Sequence, residues 1–216
     1  MNVKMIATHA GLSFGQAGST HHCTEDIGIM RTMANCKVLV PCDGIETAKA
    51  VAAAYETPGP VYIRINRGFD QPVYERQEDS NFQIGKSQEM HEGTDLTIIA
   101  AGSCVWRARE AAKVLEKSDG IRARVINMYS IKPIDVEAIQ SAVRDTRRII
   151  TVEDHNVYGG LGSAVAEVIA ETGKSCVFKR LGVPDTFSII GLHEDLMAHY
   201  GYDVNGILHT ARDVMG

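Results

Sequence analysis

Two Thr-His pairs, Thr8-His9 and Thr20-His21, lie twelve residues apart in a chain of 216 residues, across a segment that carries Gly11, Gly15 and Gly18. Glycine at that density disfavours a helix or a long strand and makes a loop whose backbone can approach a ligand closely. Imidazoles at both ends supply hydrogen-bond donors and acceptors near neutral pH, suited to orienting oxygens and moving protons. From spacing alone, a surface loop with incidental histidines stays equally open. His22 follows the second pair directly. Arg64 and Arg67 sit in V-Y-I-R-I-N-R-G at the end of an apolar run. Ligands gather at the carboxyl ends of strands in α/β sheets, and a guanidinium fork suits a phosphate dianion. One of the two arginines could instead be a structural ion-pair partner. Further on, H-N-V-Y-G-G-L-G at residues 155–162 follows a strand-like run and opens a helix-like one. That turn is a weak candidate for a phosphate nest, since the same glycines allow close helix–strand packing. Glu153, Asp154 and His155 are adjacent, so on a strand end they point different ways and make no metal cluster.

The elements that must position these residues alternate. A strand is expected over residues 1–8 with nothing ahead of it to pair with, then a helix start over 25–31. A strand at 37–41 precedes a helix at 44–55, with Asp43 as its cap and Glu46 in the capping-box position. Pro58-Gly59-Pro60 separates that helix from a strand at 61–66. From about residue 68 to 93 the pattern lapses into polar residues, read as a linker with one short strand at 82–85. Alternation then resumes with strands at 96–100, 123–127, 148–152 and 177–181. Helices are expected at 104–117, from Pro133 to 143, at 161–171, 194–199 and 204–214. Strand-helix-strand order is the mark of a parallel sheet. The fold class is therefore α/β, in two parts: a small, incomplete N-terminal α/β domain at 1–70, a linker at 71–92, and a complete C-terminal α/β/α domain at 93–216 with a mostly parallel sheet.

Composition narrows the function. A net charge of −5 and no run of Lys or Arg argue against binding nucleic acid. No apolar run approaches the roughly 20 residues a membrane helix needs, and the opening residues carry no signal-peptide pattern. The five cysteines contain no C-x-x-C pair and read as reduced thiols, not as a disulfide framework or zinc site. A soluble cytoplasmic protein is the expectation.

Three motifs carry a family resemblance. The stretch T-H-A-G-L-S-F-G-Q-A-G-S-T-H resembles the Thr-His-Asp…Gly-Glu-Asp-Gly-Pro-Thr-His segment of transketolases, from the domain that binds the pyrimidine end of thiamine diphosphate, and P-C-D-G-I-E-T resembles their Pro-Ala-Asp-x-x-Glu. The likeness continues through H-N-V-Y-G-G-L-G-S-A-V-A-E and R-L-G-V-P-D-T-F, so it covers nearly the whole chain.

The resemblance implies transfer of a two-carbon ketol unit between sugar phosphates, as in pentose phosphate metabolism, with thiamine diphosphate as electron sink. It assigns catalytic contacts to His21, toward the donor's carbonyl or terminal hydroxyl, and to His9, toward a nearby oxygen. Arg67 matches the family's sugar-phosphate arginine, with Arg64 as a second candidate. His22 makes a Thr-His-His run like that of 1-deoxy-xylulose-5-phosphate synthase and is read as supporting the site from behind. The family's Gly-Glu-Asp-Gly is Gly15-Gln16-Ala17-Gly18 here, and Ala17 cannot bond a sugar hydroxyl, which leaves the sugar open. The family's catalytic glutamate, ring-stacking aromatics and magnesium–diphosphate motif are expected on another chain. The sequence is thus read as the C-terminal piece of a split transketolase, inactive alone, partnered by an N-terminal subunit and forming a homodimer. The competing readings are a 2-oxo-acid dehydrogenase beta subunit, a deoxyxylulose-phosphate synthase relative, and a non-catalytic dimerisation module.

Overall fold

The computed structural model describes residues 1–68 and 71–216. In chain order, its elements open with β1 (Lys4–Ala7), α1 (Asp26–Thr32), β2 (Lys37–Leu39), α2 (Gly44–Glu56) and β3 (Val61–Arg64). They continue with β4 (Gln88–His91), β5 (Leu96–Ala100), α3 (Cys104–Asp119), β6 (Ala123–Asn127), β7 (Ser130–Lys132), α4 (Val136–Asp145) and β8 (Arg148–Asn156). The chain closes with α5 (Leu161–Glu171), β9 (Val177–Val183), α6 (His193–His199) and α7 (Val204–Met215).

Two sheets organise these elements. The smaller has the order β1-β3-β2-β7, with β1 and β2 both parallel to β3 and β7 antiparallel to β2. The larger runs β4-β6-β5-β8-β9, parallel except at the β4 edge. Parallel strands covered on both faces read as continuous apolar runs. Leu96–Ala100 is such a run, buried at every residue. One core lies between the larger sheet and α3 and α7, a second between it and α4 and α5. Neither stops at the N-terminal half. The first takes in Leu12 and Cys42, and the second takes in Ile27, Val38, Val40 and Tyr62.

Local chemistry explains the boundaries. Asp43 caps α2 by accepting from Glu46 N at 2.9 Å, and Asp135 caps α4 by accepting from Ala138 N at 3.2 Å. Glu46 does not close a capping box. Its carboxylate accepts from Cys42 N at 2.7 Å, one residue before the cap, and from Asn127 Nδ2 at 2.8 Å.

Several expectations need correction. The strand at the start of the chain does find a partner, pairing along its whole length with β3. The stretch at 82–85 is not a strand. Its apolar residues, Phe82 and Ile84, pack on the cluster under α2, and Phe82 stacks on Tyr129 at 4.5 Å. The strand in that region is β4, whose polar Q-E-M-H sequence forms the sheet's antiparallel edge. The 71–92 stretch also sends Val73 and Tyr74 into the core. The boundary expected at residue 70 falls outside the described residues. Helix α4 starts at Val136 rather than at Pro133, because Asp135 supplies the cap.

Candidate functional site

Both ends of the histidine loop leave the sheet at strand ends. His9 follows β1 and Arg67 follows β3, and the two strands run parallel. Backbone bonds carry the pairing just past the strands, from Ile65 N to Ala7 O at 2.8 Å and from Ala10 N to Ile65 O at 3.2 Å. Gly11 and Cys23 exchange N–H···O bonds of 2.8 and 3.1 Å, which closes residues 11–23 into a tied loop.

The loop gathers its chemistry around Phe14. The His9 ring stands edge-on to the phenyl ring with centroids 5.3 Å apart, and the His21 ring does the same at 5.8 Å. The Arg67 guanidinium lies over the same ring, 4.6 Å from its centroid, and Nη1 donates to Gln16 Oε1 at 3.0 Å. Each imidazole is bonded at Nδ1 by the threonine before it, Thr8 to His9 and Thr20 to His21, both at 3.0 Å. That pairing fixes the rings and turns Nε2 to the solvent side of the loop. Both histidines are exposed. His9 has φ 64°, a left-handed conformation uncommon for a residue with a side chain and found where a site holds it.

His22 faces the other way. Its Nδ1 is bonded to Ser188 Oγ and its Nε2 lies 3.1 Å from Gly15 O, so it ties the loop to the stretch before α6.

Arg64 does not reach the loop's open face. Its side chain is buried, with Nε donating to Asp26 at 2.8 Å and Nη2 to Asp154 O at 2.7 Å and Cys23 O at 3.2 Å. Tyr62 OH donates to the same Asp26 carboxylate at 2.7 Å. Burial alone would raise the Asp26 carboxyl, but the Arg64 charge and the two hydrogen bonds outweigh it and hold it below its usual range. The expected phosphate contact from Arg64 does not fit this geometry, because its guanidinium is spent on bonds inside the fold. Arg64 and Asp26 form the foundation on which the loop rests.

The glycine turn before α5 is also occupied. Glu153 accepts from Leu161 N at 2.6 Å and Gly162 N at 2.7 Å, taking the helix N–H groups a phosphate would need. A Cβ on Gly160 would meet Glu153 Oε2 at 2.0 Å, so glycine is required for the carboxylate to sit there. Burial pushes Glu153 up to about 7 despite those two bonds. Its neighbour goes the opposite way. Burial would raise Asp154 too, but the His193 hydrogen bond and charge, the Arg64 charge and the Leu12 N–H pull it down to about 2.

Sequence reasoning brought His9, His21 and Arg67 forward, and the structure sets all three around one ring. It missed Phe14, Gln16, Asp26 and Asp154. Phe14 lacked a chemical signature, although its place midway between the two histidines was visible. Among the described residues no set of three His, Cys, Asp or Glu side chains is placed to hold a metal. The five cysteines are free thiols, and among the described residues no helix is long and apolar enough to cross a membrane.

Two sheets of largely parallel strands, with a histidine loop at the strand ends of one and tied to the other, define a two-part α/β protein with its site at their junction. The chain belongs to the transketolase family: residues 1–69 match the transketolase pyrimidine binding domain and residues 85–207 the transketolase C-terminal domain. One of the two subunits of an apulose-4-phosphate transketolase from Phocaeicola vulgatus is 43% identical over 210 residues, covering 97% of this chain and 66% of that protein. A 6-deoxy-6-sulfo-D-fructose transketolase subunit from a Clostridium species is 36% identical, covering 99% of this chain and 65% of its own length. A solved structure described as a split gene transketolase, inactive beta4 tetramer, matches with a TM-score of 0.87 and 38% identity, over 100% of this chain and 67% of that one. The chain thus spans about two thirds of the length of these relatives.

Proposed function

We propose that this chain is the substrate-facing half of a split transketolase, which with a complementary N-terminal subunit moves a two-carbon ketol unit between phosphorylated sugars. The observation that carries this reading is the convergence of His9, His21 and Arg67 on Phe14. Thiamine diphosphate, when bound, supplies the electron sink for carbon–carbon cleavage. The residues present fit the sugar side of such a site. Thr20 holds the His21 ring so that Nε2 can donate to the donor's carbonyl oxygen or terminal hydroxyl and take up or return its proton. His9 reaches a neighbouring sugar oxygen in the same way. Arg67, flat on Phe14, presents N–H groups to the terminal phosphate. The diphosphate and magnesium are assigned to the complementary chain, since the glycine turn that could have cradled a phosphate is filled by Glu153.

The names of the relatives support a sugar of this general kind without choosing one. Gln16 and Ala17 stand where the family carries acids, and Gln16 is engaged with Arg67. The loop therefore has a neutral floor, which favours a donor lacking the hydroxyl those acids would bind. We place the enzyme in the cytoplasm, where its thiols stay reduced, and the chain on its own is expected to be inactive.

The test is reconstitution with the complementary subunit. His21→Ala should lower kcat by about 10²-fold with assembly unchanged, the usual scale for losing a positioned proton-transfer group. Full activity in that variant would leave only a dimerisation module.

A further inference from the structure

Strand β8 carries three consecutive buried ionisable residues, and two of them already have tasks: Glu153 caps α5, and His155 Nε2 accepts from Gly28 N at 3.3 Å. Asp154 lies between them, 3% exposed, and turns toward the histidine loop. Leu12 N donates to its two carboxylate oxygens at 3.0 and 3.2 Å, across 142 positions of sequence. Tyr202 OH donates to it at 2.9 Å and His193 Nε2 lies 3.1 Å away. The backbone above it is shaped to this contact. Gly11 has φ 60°, and a Cβ there would come within 2.2 Å of Asp154 Oδ2. Leu12 itself is fully buried in the core of the larger sheet. Two residues further on is Phe14, the ring on which His9, His21 and Arg67 converge.

We propose that Asp154 is a positioning residue: a carboxylate of the C-terminal sheet that pins the backbone of the histidine loop at Leu12 and so sets where Phe14, and with it His9, His21 and Arg67, stand. Its catalytic consequence rests on the sugar-site reading above, whereas its structural consequence does not. Asp154 has four lone-pair positions and uses them on three partners from three segments. Asparagine keeps the shape but offers one acceptor oxygen, so it cannot serve Leu12 N, Tyr202 and His193 together. An ångström-scale shift of reacting groups costs an enzyme on the order of 10²-fold in rate, which makes a remote anchor of this kind matter to chemistry as well as to folding.

The experiment uses the full chain with isotope-labelled histidine, alone and assembled with its complementary subunit. The His9 and His21 ring signals, assigned with H9Q and H21Q, feel the ring current of Phe14 and so report the loop's position. Asp154→Asn should shift both, while His91 and His209, which lie elsewhere, stay put. In the assembled enzyme the same variant should lower kcat roughly 10- to 100-fold, with little further loss when added to H21A. Gly11→Ala, which pushes the loop off the carboxylate but leaves Asp154 with Tyr202 and His193, should move the same two signals and covers the case in which D154N fails to fold. If D154N lowers the melting temperature yet leaves the two signals, kcat and KM unchanged, Asp154 is a stabilising residue only and the proposal falls; unmoved signals in G11A would overturn it equally. Shifted signals in an assembly whose wild type transfers no ketol unit would uphold the anchor and reject the sugar-site reading instead.

Discussion

Phe14 is the residue through which the others are organised, since both imidazoles meet its edge and the guanidinium covers its face. Histidines and arginines announce themselves in a sequence because few other side chains titrate or fork as they do. A phenylalanine in a loop announces nothing, and neither does the buried Asp26 that holds Arg64 in place of a phosphate. Reading Arg64 and Arg67 as alike was the natural result of seeing both at one strand end. Only the pleat separates them: Arg64, still in β3, points into the fold, and Arg67, past its end, stands over the loop. Their substitutions should therefore differ in kind. In the assembled enzyme, Arg67→Ala should raise KM for phosphorylated donors roughly 10- to 100-fold, the scale of a hydrogen bond to a charged group, and should spare unphosphorylated ones in steady-state assays. Arg64→Ala should leave Asp26 uncompensated inside the protein and lower folding stability by about 3–5 kcal/mol, measured by denaturant titration.

At the scale of elements, the strongly periodic segments were legible to within a residue or two, because apolar strands of a covered parallel sheet and amphipathic helices carry their own signal. Strands β5 and β6 match their expected limits, and α5 begins and ends as read. The two strands that escaped, β4 and β7, are short and form antiparallel edges, and Q-E-M-H and S-I-K resemble loop sequence. Their pairing is specified by distant partners, not by local composition. Helix α2 shows how a cap can do more than end a helix. Asp43 Oδ1 accepts from Glu46 N, while Oδ2 accepts from Val73 N at 3.0 Å and Tyr74 N at 2.9 Å, so one carboxylate starts α2 and fastens the following segment. Asp43→Ala should cost more than the ~1 kcal/mol of an ordinary cap, on the order of 2–3 kcal/mol, because two further N–H groups lose their acceptor. Equilibrium unfolding in urea would check this, with a loss near 1 kcal/mol showing that the second pair of bonds adds nothing.

At the scale of the whole molecule, adjacent carboxylates on β8 give stability a pH profile with two flanks. Asp154, held at about 2, stabilises the fold above the ordinary value of 3.8, and that contribution is lost as pH falls through about 2. Glu153 works in the opposite direction: raised from 4.5 to about 7, it favours the fold while protonated, fully below 4.5, and the benefit is lost as pH rises through about 7. Melting temperature should therefore peak between roughly pH 4 and 6, and Glu153→Gln should flatten the decline on the neutral side while leaving the acid side intact. None of this was visible in sequence, where Glu153, Asp154 and His155 are three polar letters in a row. The same holds for the joining of the two halves. Strand β7, contributed from beyond β6, completes the sheet begun by β1, β2 and β3. During synthesis, at about 5–20 residues per second, several seconds separate the emergence of Arg64 from that of Ser130. Throughout that interval the outer rim of β2 has no mate, and an unmated rim is what strands of neighbouring nascent chains stick to. The first sheet thus leaves the ribosome unfinished, and protection by chaperones would be needed most before the chain is two thirds made.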